Sequence, residues 1–369
     1  MQPSVHRPTQ IIIDRQAIRA NLAHQRQILD PTTQIFAVVK ADGYHHGAVP
    51  VARLLHEQHI AGFCVATLDE ALELRAAGLT EPILVLSVTP VAQTTLASQQ
   101  DISLTAPSQA WLEAAAQSVT QPLKIHLALD TGMGRIGLTS VASVQQACHF
   151  LQQTPQLIAE GIFTHFATAD EKNTDYLQHQ MTLFDQMTAH LPIKFKYIHC
   201  ANSATALWHL SYQKQLVRFG IALYGLNPSG TAITDLPYAL QPALSLETEI
   251  SHLKLLPAGQ KISYGATYTT ATDEFIATLP IGYADGWLRR LSGSSVLVAG
   301  QRCPIVGRIC MDQMMIKVPQ AYPVGTKVTL IGSNQGQTIT VDELAEYSHT
   351  INYEIICNLS DRIPRKYVN

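Results

Sequence analysis

The stretch IFAVVKADGYHHGAVPVARLLHEQHI (35–60) places an apolar run directly before a segment with the periodicity of a helix. Apolar runs of this kind recur along the chain at IFAVV (35–39), FCVA (63–66), ILVL (83–86), ISL (102–104), IHLAL (125–129), IFTHF (162–166), YIHC (197–200) and VRFGIALYG (217–225). Segments with helical periodicity, such as TDYLQHQMTLFDQMTAH (174–190), lie between them. Strands that alternate with helices indicate a parallel sheet, and eight such units favour an α/β fold of the closed (β/α)8, TIM-like kind over an open sheet.

The chain changes character at NPSGTAITDLPYALQPA (227–243), which is rich in Pro, Gly and Thr. Short β-rich pieces separated by turn residues follow, and a single short helical pattern, VDELAEYS (341–348), interrupts them. This pattern predicts a mainly β C-terminal domain after the barrel. The length of 369 residues agrees with that prediction, because one barrel of this kind leaves about 100 residues for a second domain.

We therefore divide the chain into three parts. Residues 1–14 contain the short strand QIIID (10–14), which we expect to pair into the β domain. Residues 15–235 form the barrel and open with a helix for which Asp14 is the expected N-cap. Residues 236–369 form the C-terminal β domain.

Composition argues against several classes of protein. The net charge of −3, without any basic run, argues against a nucleic-acid partner. No apolar run reaches 18 residues and the first residues do not resemble a signal peptide, so we expect a cytoplasmic protein without a membrane segment. The six cysteines are scattered without a CxxC pair, which predicts mostly buried thiols in a reducing compartment and no metal site.

Reactive residues follow several of the predicted strands, at the end of a barrel where chemistry gathers. They are Lys40, Arg135, His165, Asn202 with Ser203, and Arg218 with Gly220. Lys40 ends the run IFAVVK, and burial disfavours the charged form of an amine, which would free it for Schiff-base chemistry. A lysine that only extends its ammonium into solvent explains this strand end equally well.

The last two strands carry features of a phosphate site. Phosphate groups in such barrels often bind after strands seven and eight, where HCANSAT (199–205) and RFGIALYG (218–225) lie. Ser203 would supply a hydroxyl and a backbone N–H, and Gly220 with Ile221 would supply backbone donors. Each fragment alone could be a helix cap or a turn. Together with Lys40 they indicate a phosphorylated aldehyde cofactor, pyridoxal 5′-phosphate.

The motif AVVKADGYHHGA resembles the cofactor-lysine motif of the alanine racemases. Motifs similar to the rest of that family's set follow in the same order, as DTGMGRIG (130–137), GIFTHFATADE (161–171), HCANSAT, VRFGIALYG, SYGATY (263–268), LPIGYADGW (279–287), GRICMDQ (307–313) and INYEIIC (351–357). The resemblance covers nearly the whole chain, including both domains. It implies an isomerase that interconverts L- and D-alanine with pyridoxal phosphate and supplies D-alanine for peptidoglycan.

The same resemblance implies a set of cofactor contacts. Lys40 would hold the cofactor as an aldimine, and Arg218 would face its pyridine nitrogen. Because a guanidinium does not readily give up its proton, the ring nitrogen would stay largely unprotonated, which limits side reactions such as transamination. The cofactor-binding residues implied in addition are Tyr44, Ser203, Gly220, Ile221 and Tyr353 at the phosphate, with His165 and Asn202.

Racemisation needs a base on each face of the substrate Cα. The resemblance implies Lys40 on one face and Tyr264, in SYGATY, on the other. A tyrosine ordinarily keeps its proton at neutral pH, so this role requires polar neighbours, for which His165 and Arg218 are the candidates. A half-buried strand tyrosine is the default reading of an isolated tyrosine in a β domain.

Substrate binding is implied at the same site. Arg135 would contact the substrate carboxylate, Met311 would offer its backbone N–H to the same group, and Tyr283 would line the entrance. In the family, the residues that correspond to Tyr264, Tyr283 and Met311 come from the partner subunit. The resemblance therefore implies a homodimer with two shared active sites.

The chain departs from the family pattern at two positions. The family commonly has a carbamylated lysine seven residues before the arginine of DTGMGR, and here that position is Ala128. Our hypothesis is that a bound anion such as chloride orients Arg135 instead, which assumes that the guanidinium is buried beside the missing charge. His45 stands where a small residue is commoner, and we expect it to alter local packing only.

Three alternatives stay open at this level. One is a racemase for another small amino acid, such as serine. Another is a pyridoxal-phosphate-binding homeostasis protein without catalysis, although such proteins lack a trailing β domain with SYGATY and GRICMDQ. The third is a decarboxylase of basic amino acids, which would need an acidic partner for the ring nitrogen where this chain has Arg218.

Overall fold

The computed structural model describes residues 2–369. They form two compact units, which we call the barrel unit (Ile18–Gln241) and the β unit (the chain up to Ala17 together with Pro242–Asn369). The first strand, β1 (Gln10–Asp14), belongs to the β unit and leads into the helix α1 (Arg15–Ile28). The Asp14 carboxylate accepts hydrogen bonds from the N–H groups of Gln16 (2.8 Å) and Ala17 (3.3 Å), so the predicted N-cap of α1 is confirmed.

Eight parallel strands make the sheet of the barrel unit, in the order β8-β7-β6-β5-β4-β3-β2-β9. They are β2 (Gln34–Val38), β3 (Gly62–Val65), β4 (Ile83–Val88), β5 (Ser103–Ala106), β6 (Leu123–Ala128), β7 (Leu157–Phe163), β8 (Tyr197–His199) and β9 (Leu216–Phe219). The Arg218 N–H donates to the Ala201 carbonyl at 3.0 Å, which joins the last strand to the segment after β8. The predicted TIM-like fold of eight βα units is confirmed.

Helices follow each of these strands or lie between them. They are α2 (Lys40–Tyr44), α3 (Ala48–Glu57), α4 (Leu68–Ala76), α5 (Thr94–Gln99), α6 (Gln109–Ser118), α7 (Val141–Gln152), α8 (Asp175–Thr188) and α9 (Ser203–Trp208), with 3-10 turns at Val91–Gln93, Leu210–Tyr212 and Ile221–Tyr224. No helix within residues 2–369 is long and apolar enough to span a membrane.

Two of the apolar runs extend beyond the ends of the strands that they mark. The run IFTHF (162–166) leaves the sheet after Phe163, and VRFGIALYG (217–225) leaves it after Phe219. In the second case the backbone turns at Gly220, where φ is −109° and ψ is −110°. A 3-10 turn then buries Ile221–Tyr224, so these apolar residues belong to the core without belonging to a strand.

The β unit is built on a sheet of seven strands in which β1 pairs with both β10 and β20. Its remaining strands and helices are β10 (Leu244–Glu249), β11 (His252–Leu256), β12 (Lys261–Ile262), β13 (Tyr268–Thr269), β14 (Glu274–Leu279), β15 (Ser295–Val298), β16 (Gln301–Pro304), β17 (Met314–Val318), β18 (Lys327–Asn334), β19 (Gln337–Ile339), α10 (Val341–Tyr347), α11 (Asn352–Cys357) and β20 (Arg365–Val368), with 3-10 turns at Tyr264–Ala266, Tyr283–Asp285 and Arg289–Leu291. A three-stranded sheet, β11-β14-β17, and the hairpin β12-β13 complete its strands. The prediction of a mainly β C-terminal domain is confirmed.

The expectation of a single helical segment in the β unit is wrong. INYEIIC (351–357), read only as a motif, contains the helix α11. Its buried residues Asn352, Ile355 and Ile356 stand at helical spacing, but six residues are too few for the periodicity to be distinctive. The prediction that most of the cysteines are buried is confirmed, because Cys64, Cys148, Cys200 and Cys303 are buried.

Candidate active site

Lys40 stands at the start of an unusual left-handed turn. It lies two residues past the end of β2, not at the end of the strand as predicted. Five consecutive residues after it, from Ala41 (φ 51°) to His45 (φ 66°), have positive φ. The left-handed conformation costs roughly 1–2 kcal/mol for each residue other than glycine, so the surrounding structure must impose this turn.

Hydrogen bonds on both sides hold the turn. The Ala41 N–H donates to the Glu70 carboxylate at 2.7 Å, and the Asp42 carboxylate accepts from the Ala48 N–H at 2.7 Å. The Gly47 N–H closes the turn on the Asp42 carbonyl at 2.8 Å. The backbone that carries Lys40 is therefore fixed by the starts of two helices, α3 and α4.

Two hydroxyl groups lie beside the backbone of Gly220, which follows β9: that of Ser203, from the segment after β8, and that of Tyr44. Ser203 Oγ accepts a hydrogen bond from the Gly220 N–H at 2.9 Å. A Cβ at position 220 would lie 2.8 Å from Tyr44 Oη and 3.6 Å from Ser203 Oγ. We call Tyr44, Ser203, Gly220 and Ile221 the cradle. Tyr44 reaches it from the same turn that begins with Lys40.

Asn202, predicted to bind the cofactor, has a structural role in this chain. Its side-chain oxygen accepts hydrogen bonds from the N–H (3.0 Å) and the hydroxyl (3.1 Å) of Thr205. Asn202 is thus the N-cap of α9 and sets the position of Ser203, the first residue of that helix. A helix cap was one of the alternatives for this fragment.

Arg218 is buried at the end of β9, with 3% of its surface exposed. Its Nη2 group donates to the carbonyls of Thr164 (3.0 Å) and Cys200 (3.2 Å), and to His165 Nδ1 (3.3 Å). Its Nη1 group donates to His199 Nδ1 at 2.5 Å. Within residues 2–369 no carboxylate forms an ion pair with Arg218, and burial lowers the pKa of the guanidinium.

His165 is held as a neutral imidazole. Burial lowers its pKa to about 3, and the positive charges of Arg218, Arg135 and Lys40 act in the same direction. Because Arg218 can only donate, Nδ1 of His165 must accept, and its proton resides on Nε2. The imidazole therefore offers one fixed N–H donor.

Arg135 lies on a loop that leaves the barrel after β6 and returns beside it. The Asp130 carboxylate accepts from the N–H groups of Gly132 and Gly134, each at 3.0 Å, and the Leu138 N–H returns to the Ala128 carbonyl at 2.9 Å. Arg135 itself is exposed and makes no hydrogen bond or ion pair within residues 2–369. The anion hypothesis assumes that the Arg135 guanidinium is buried. In the single chain this assumption is wrong, although Ala128 itself is buried.

Gln180, which the sequence analysis missed, ties two of these loops together. It is fully buried on α8, and its amide nitrogen donates to the His165 carbonyl (3.2 Å) and to Thr131 Oγ1 (3.4 Å). Its amide oxygen accepts from the Ala167 N–H at 2.9 Å. A polar residue within the buried stripe of α8 was the available signal.

The β unit presents three of the predicted site residues together. Tyr264, Tyr283 and Met311 are 70%, 43% and 53% exposed, respectively. The segment around Met311 connects them, because the Tyr283 N–H donates to the Cys310 carbonyl (3.0 Å) and Ser263 Oγ donates to the Arg308 carbonyl (2.5 Å). The side chains of Tyr264, Tyr283 and Met311 therefore face solvent, although the backbone that carries them is held by hydrogen bonds.

Two further positions noted in the sequence analysis are Tyr353 and His45. Tyr353 lies on α11 of the β unit and is partly exposed. His45, the departure from the family pattern, is 5% exposed and ends the left-handed turn with φ at 66°.

Family models for the N-terminal and C-terminal domains of alanine racemase match residues 13–228 and 243–367. The chain belongs to the alanine racemase family. The alanine racemase of Pediococcus pentosaceus is 52% identical over 368 residues, which cover 100% of this chain and 98% of that protein. The crystal structure of alanine racemase from E. faecalis superposes with a TM-score of 0.98 at 50% identity, over the whole of both chains.

Membership of the alanine racemase family confirms the resemblance drawn from the motifs. One solved structure adds a different substrate to the comparison. The histidine racemase from Leuconostoc mesenteroides subsp. sake has a TM-score of 0.94 with this chain at 35% identity, again over the whole of both chains. Racemases whose names give different substrates therefore share this architecture.

Proposed function

We propose that this protein is a pyridoxal-phosphate-dependent alanine racemase that acts in the cytoplasm as a homodimer and supplies D-alanine for peptidoglycan. The observation that carries the proposal is the convergence of Tyr44 and Ser203 on Gly220, beside the turn that begins with Lys40. An amine and a phosphate cradle at one end of a barrel are what a phosphorylated aldehyde requires.

The residues present fit this cofactor. Gly220 leaves open a space that a Cβ would fill between the hydroxyls of Tyr44 and Ser203, and such a space suits a phosphoryl oxygen. Tyr44, Ser203, Gly220 and Ile221 would hold the phosphate, with Tyr353 as a further contact, and Lys40 would bind the aldehyde carbon. When bound, pyridoxal phosphate supplies an electron sink that acidifies the Cα proton of an amino acid.

Arg218 would donate a hydrogen bond to the cofactor's ring nitrogen. A guanidinium has no acceptor and gives up its proton only with difficulty, so it would bind this nitrogen without protonating it. An acidic partner at this position would do the opposite, as the decarboxylase alternative requires. Arg218 has no such carboxylate beside it within residues 2–369.

Two bases would then move the Cα proton. The Lys40 amine would serve one face, and the Tyr264 phenol of the partner subunit would serve the other. The neutral His165 would donate its Nε2–H to the Tyr264 oxygen and stabilise it when it loses a proton. Arg135 would orient the substrate through its carboxylate, with help from the Met311 N–H of the partner subunit.

The exposure of the β-unit residues supports the homodimer. Tyr264, Tyr283 and Met311 are ordered but face solvent in the single chain, as residues of an interface do before assembly. We also propose that a bound anion orients Arg135 in the assembled dimer, because Ala128 cannot supply the negative charge.

The test combines turnover with chemical trapping. The purified protein should be yellow and should convert L-alanine to a racemic mixture, as measured by optical rotation. Borohydride should bleach it, and peptide mass analysis should then locate the adduct on Lys40. Colourless protein, or an adduct on another side chain, would contradict the proposal.

A racemase for another amino acid is the second candidate, and the likeness to a histidine racemase favours keeping it. The same assay with serine and histidine separates the two. If kcat/KM is higher for serine or histidine than for alanine, that amino acid is the substrate. The assignment of the cofactor would not be affected.

A further inference from the structure

Behind Arg218 lies a chain of buried polar side chains that the proposed function does not use. Arg218 Nη1 lies 2.5 Å from His199 Nδ1, His199 Nε2 lies 2.8 Å from His126 Nδ1, and His126 Nε2 lies 3.2 Å from Glu160 Oε2. None of the four is more than 8% exposed. We call this set the relay. It begins at a residue that can carry only positive charge and ends at one that can carry only negative charge.

The donors and acceptors of the relay can be ordered in one way only. A guanidinium has donors alone, so His199 Nδ1 must accept and the His199 proton must reside on Nε2. That N–H donates to His126 Nδ1, so the His126 proton resides on Nε2 and is donated to Glu160. A proton on Nδ1 of either histidine would set two donors against each other.

The local backbone is shaped to place the two far members. The pairing of β6 with β7 shifts between Ile125 and His126, so that Glu160 is an extra residue in a β-bulge. A Cβ on the next residue, Gly161, would collide with the His126 ring. Ser103 on β5 donates its hydroxyl to Glu160 Oε2 at 2.5 Å. Three neighbouring strands therefore position this carboxylate.

The charge states agree with this order. Burial alone would raise the pKa of Glu160, but His126, the Ser103 hydrogen bond and the positive charge of Lys124 outweigh it and lower that pKa, so the carboxylate is ionised. Burial lowers the pKa of both His126 and His199, so both imidazoles are neutral. A cation and an anion thus stand at the two ends, separated by two neutral rings.

We infer that Glu160 is a positioning residue: it is the remote counter-charge of Arg218 and acts through His199 and His126 in fixed tautomers. It keeps a guanidinium without an adjacent carboxylate both charged and oriented in the barrel interior. The consequence for catalysis, a correctly presented hydrogen-bond donor for the ring nitrogen, rests on the proposed function. The pairing of charges does not.

The first test is a double-mutant cycle on the full-length protein, with unfolding measured by urea titration. Glu160→Gln keeps an acceptor for His126 but removes the charge. We expect it to reduce the folding equilibrium constant about tenfold or more in the wild-type background, and less than about threefold beside Arg218→Gln. Equal losses in the two backgrounds would overturn the inference.

The matched control is Glu274→Gln. Glu274 is also a buried carboxylate, 3% exposed, but it lies in the β unit and binds Tyr268 and Lys317. Its effect should be the same with and without Arg218→Gln, because distant sites add. Coupling of equal size at both glutamates would mean that Arg218→Gln damages the whole chain, and the inference would lose its support.

The second test reads the tautomers directly, and it stands even if Glu160→Gln fails to fold. In protein labelled with 15N-histidine, the Nδ1 signals of His126 and His199 should be those of unprotonated nitrogen at any pH above the ordinary histidine pKa of about 6.5. His126→Asn and His199→Asn assign the signals. A proton on Nδ1 of either ring would overturn the order of donors.

These readouts separate the inference from the proposed function. Neither the unfolding measurement nor the tautomer measurement depends on enzyme activity. Both therefore test the relay even in a protein that does not racemise alanine. With active enzyme, Glu160→Gln should lower kcat by about tenfold or more and leave KM within about twofold, because the substrate does not touch Glu160. A change confined to KM would contradict the positioning role.

Discussion

The two regions that carry the proposed site differ in how their residues are held. In the barrel unit Ser203 and Arg218 are at most 5% exposed and are fixed by bonds to neighbouring strands and helices. In the β unit Tyr264 is 70% exposed, although the backbone beneath it is ordered. Apart from Arg135, which is exposed, the barrel residues of the proposed site are therefore already held in place, whereas under our proposal the β-unit residues would be covered by the partner subunit.

Complementation between inactive variants is the strongest way to break this comparison. Lys40→Ala and Tyr264→Phe should each be nearly inactive alone. If Tyr264 acts from the partner subunit, a mixed dimer has one intact site, so random reassembly should recover about a quarter of the wild-type activity. Activity is measured after unfolding and refolding the two variants together.

The control for that experiment is a mixture of Lys40→Ala with Tyr44→Phe. Both positions lie in the barrel unit, so each site of a mixed dimer would carry one of the two defects and neither site would be intact. The activity of this mixture should therefore stay at the average of the two variants measured alone. Recovery with Tyr264→Phe tests the shared site, and its absence would assign both bases to one chain.

A second prediction concerns the two faces of the substrate. Tyr264→Phe should slow removal of the Cα proton from L-alanine by about 100-fold or more, the usual effect of losing a general base. Removal from D-alanine, which we assign to Lys40, should be much less affected. Exchange of the Cα proton in D2O, followed by NMR for each enantiomer, measures both rates, and equal losses would contradict one base per face.

The sequence predicted much of the barrel because its strands are buried on both faces. The runs at β2 to β9 are mostly apolar, and the structure places a strand at each of them. The left-handed turn after Lys40 was not predictable, since it depends on Glu70 and Ala48, which belong to other elements. Local preference alone would not place Ala41 or His45 at positive φ.

The relay shows the same limit more clearly. Glu160, His126 and His199 are far apart in sequence and meet only because β6, β7 and β8 are neighbours in the sheet. The bulge that re-aims Glu160 leaves no pattern in the sequence. Motif resemblance located residues that touch the expected cofactor, but it did not reveal the buried groups behind them.

Acid should affect the barrel unit through His165. The pKa of His165 is lowered to about 3, so its neutral form stabilises the fold above the ordinary histidine pKa of about 6.5. The unfolded chain binds the proton first as pH falls, and stability is lost between about pH 6.5 and 3. Thermal unfolding across this range should show a shallower loss for His165→Asn than for the wild type, and identical slopes would contradict the assignment.

The smallest expected effect tests how the barrel unit is kept rigid. Gln180→Leu removes three hydrogen bonds to the loops that carry His165 and Arg135, and it leaves the Ala167 N–H without its acceptor. We expect a loss of about 1–3 kcal/mol in unfolding free energy and a higher KM for alanine, because Arg135 would be less well placed. Gln178→Leu, at an exposed position on the same helix, is the control and should leave both quantities nearly unchanged. If Gln178→Leu raised KM as much as Gln180→Leu did, the effect would come from a change in α8 as a whole. The hydrogen bonds of Gln180 to the two loops would then not be what positions Arg135.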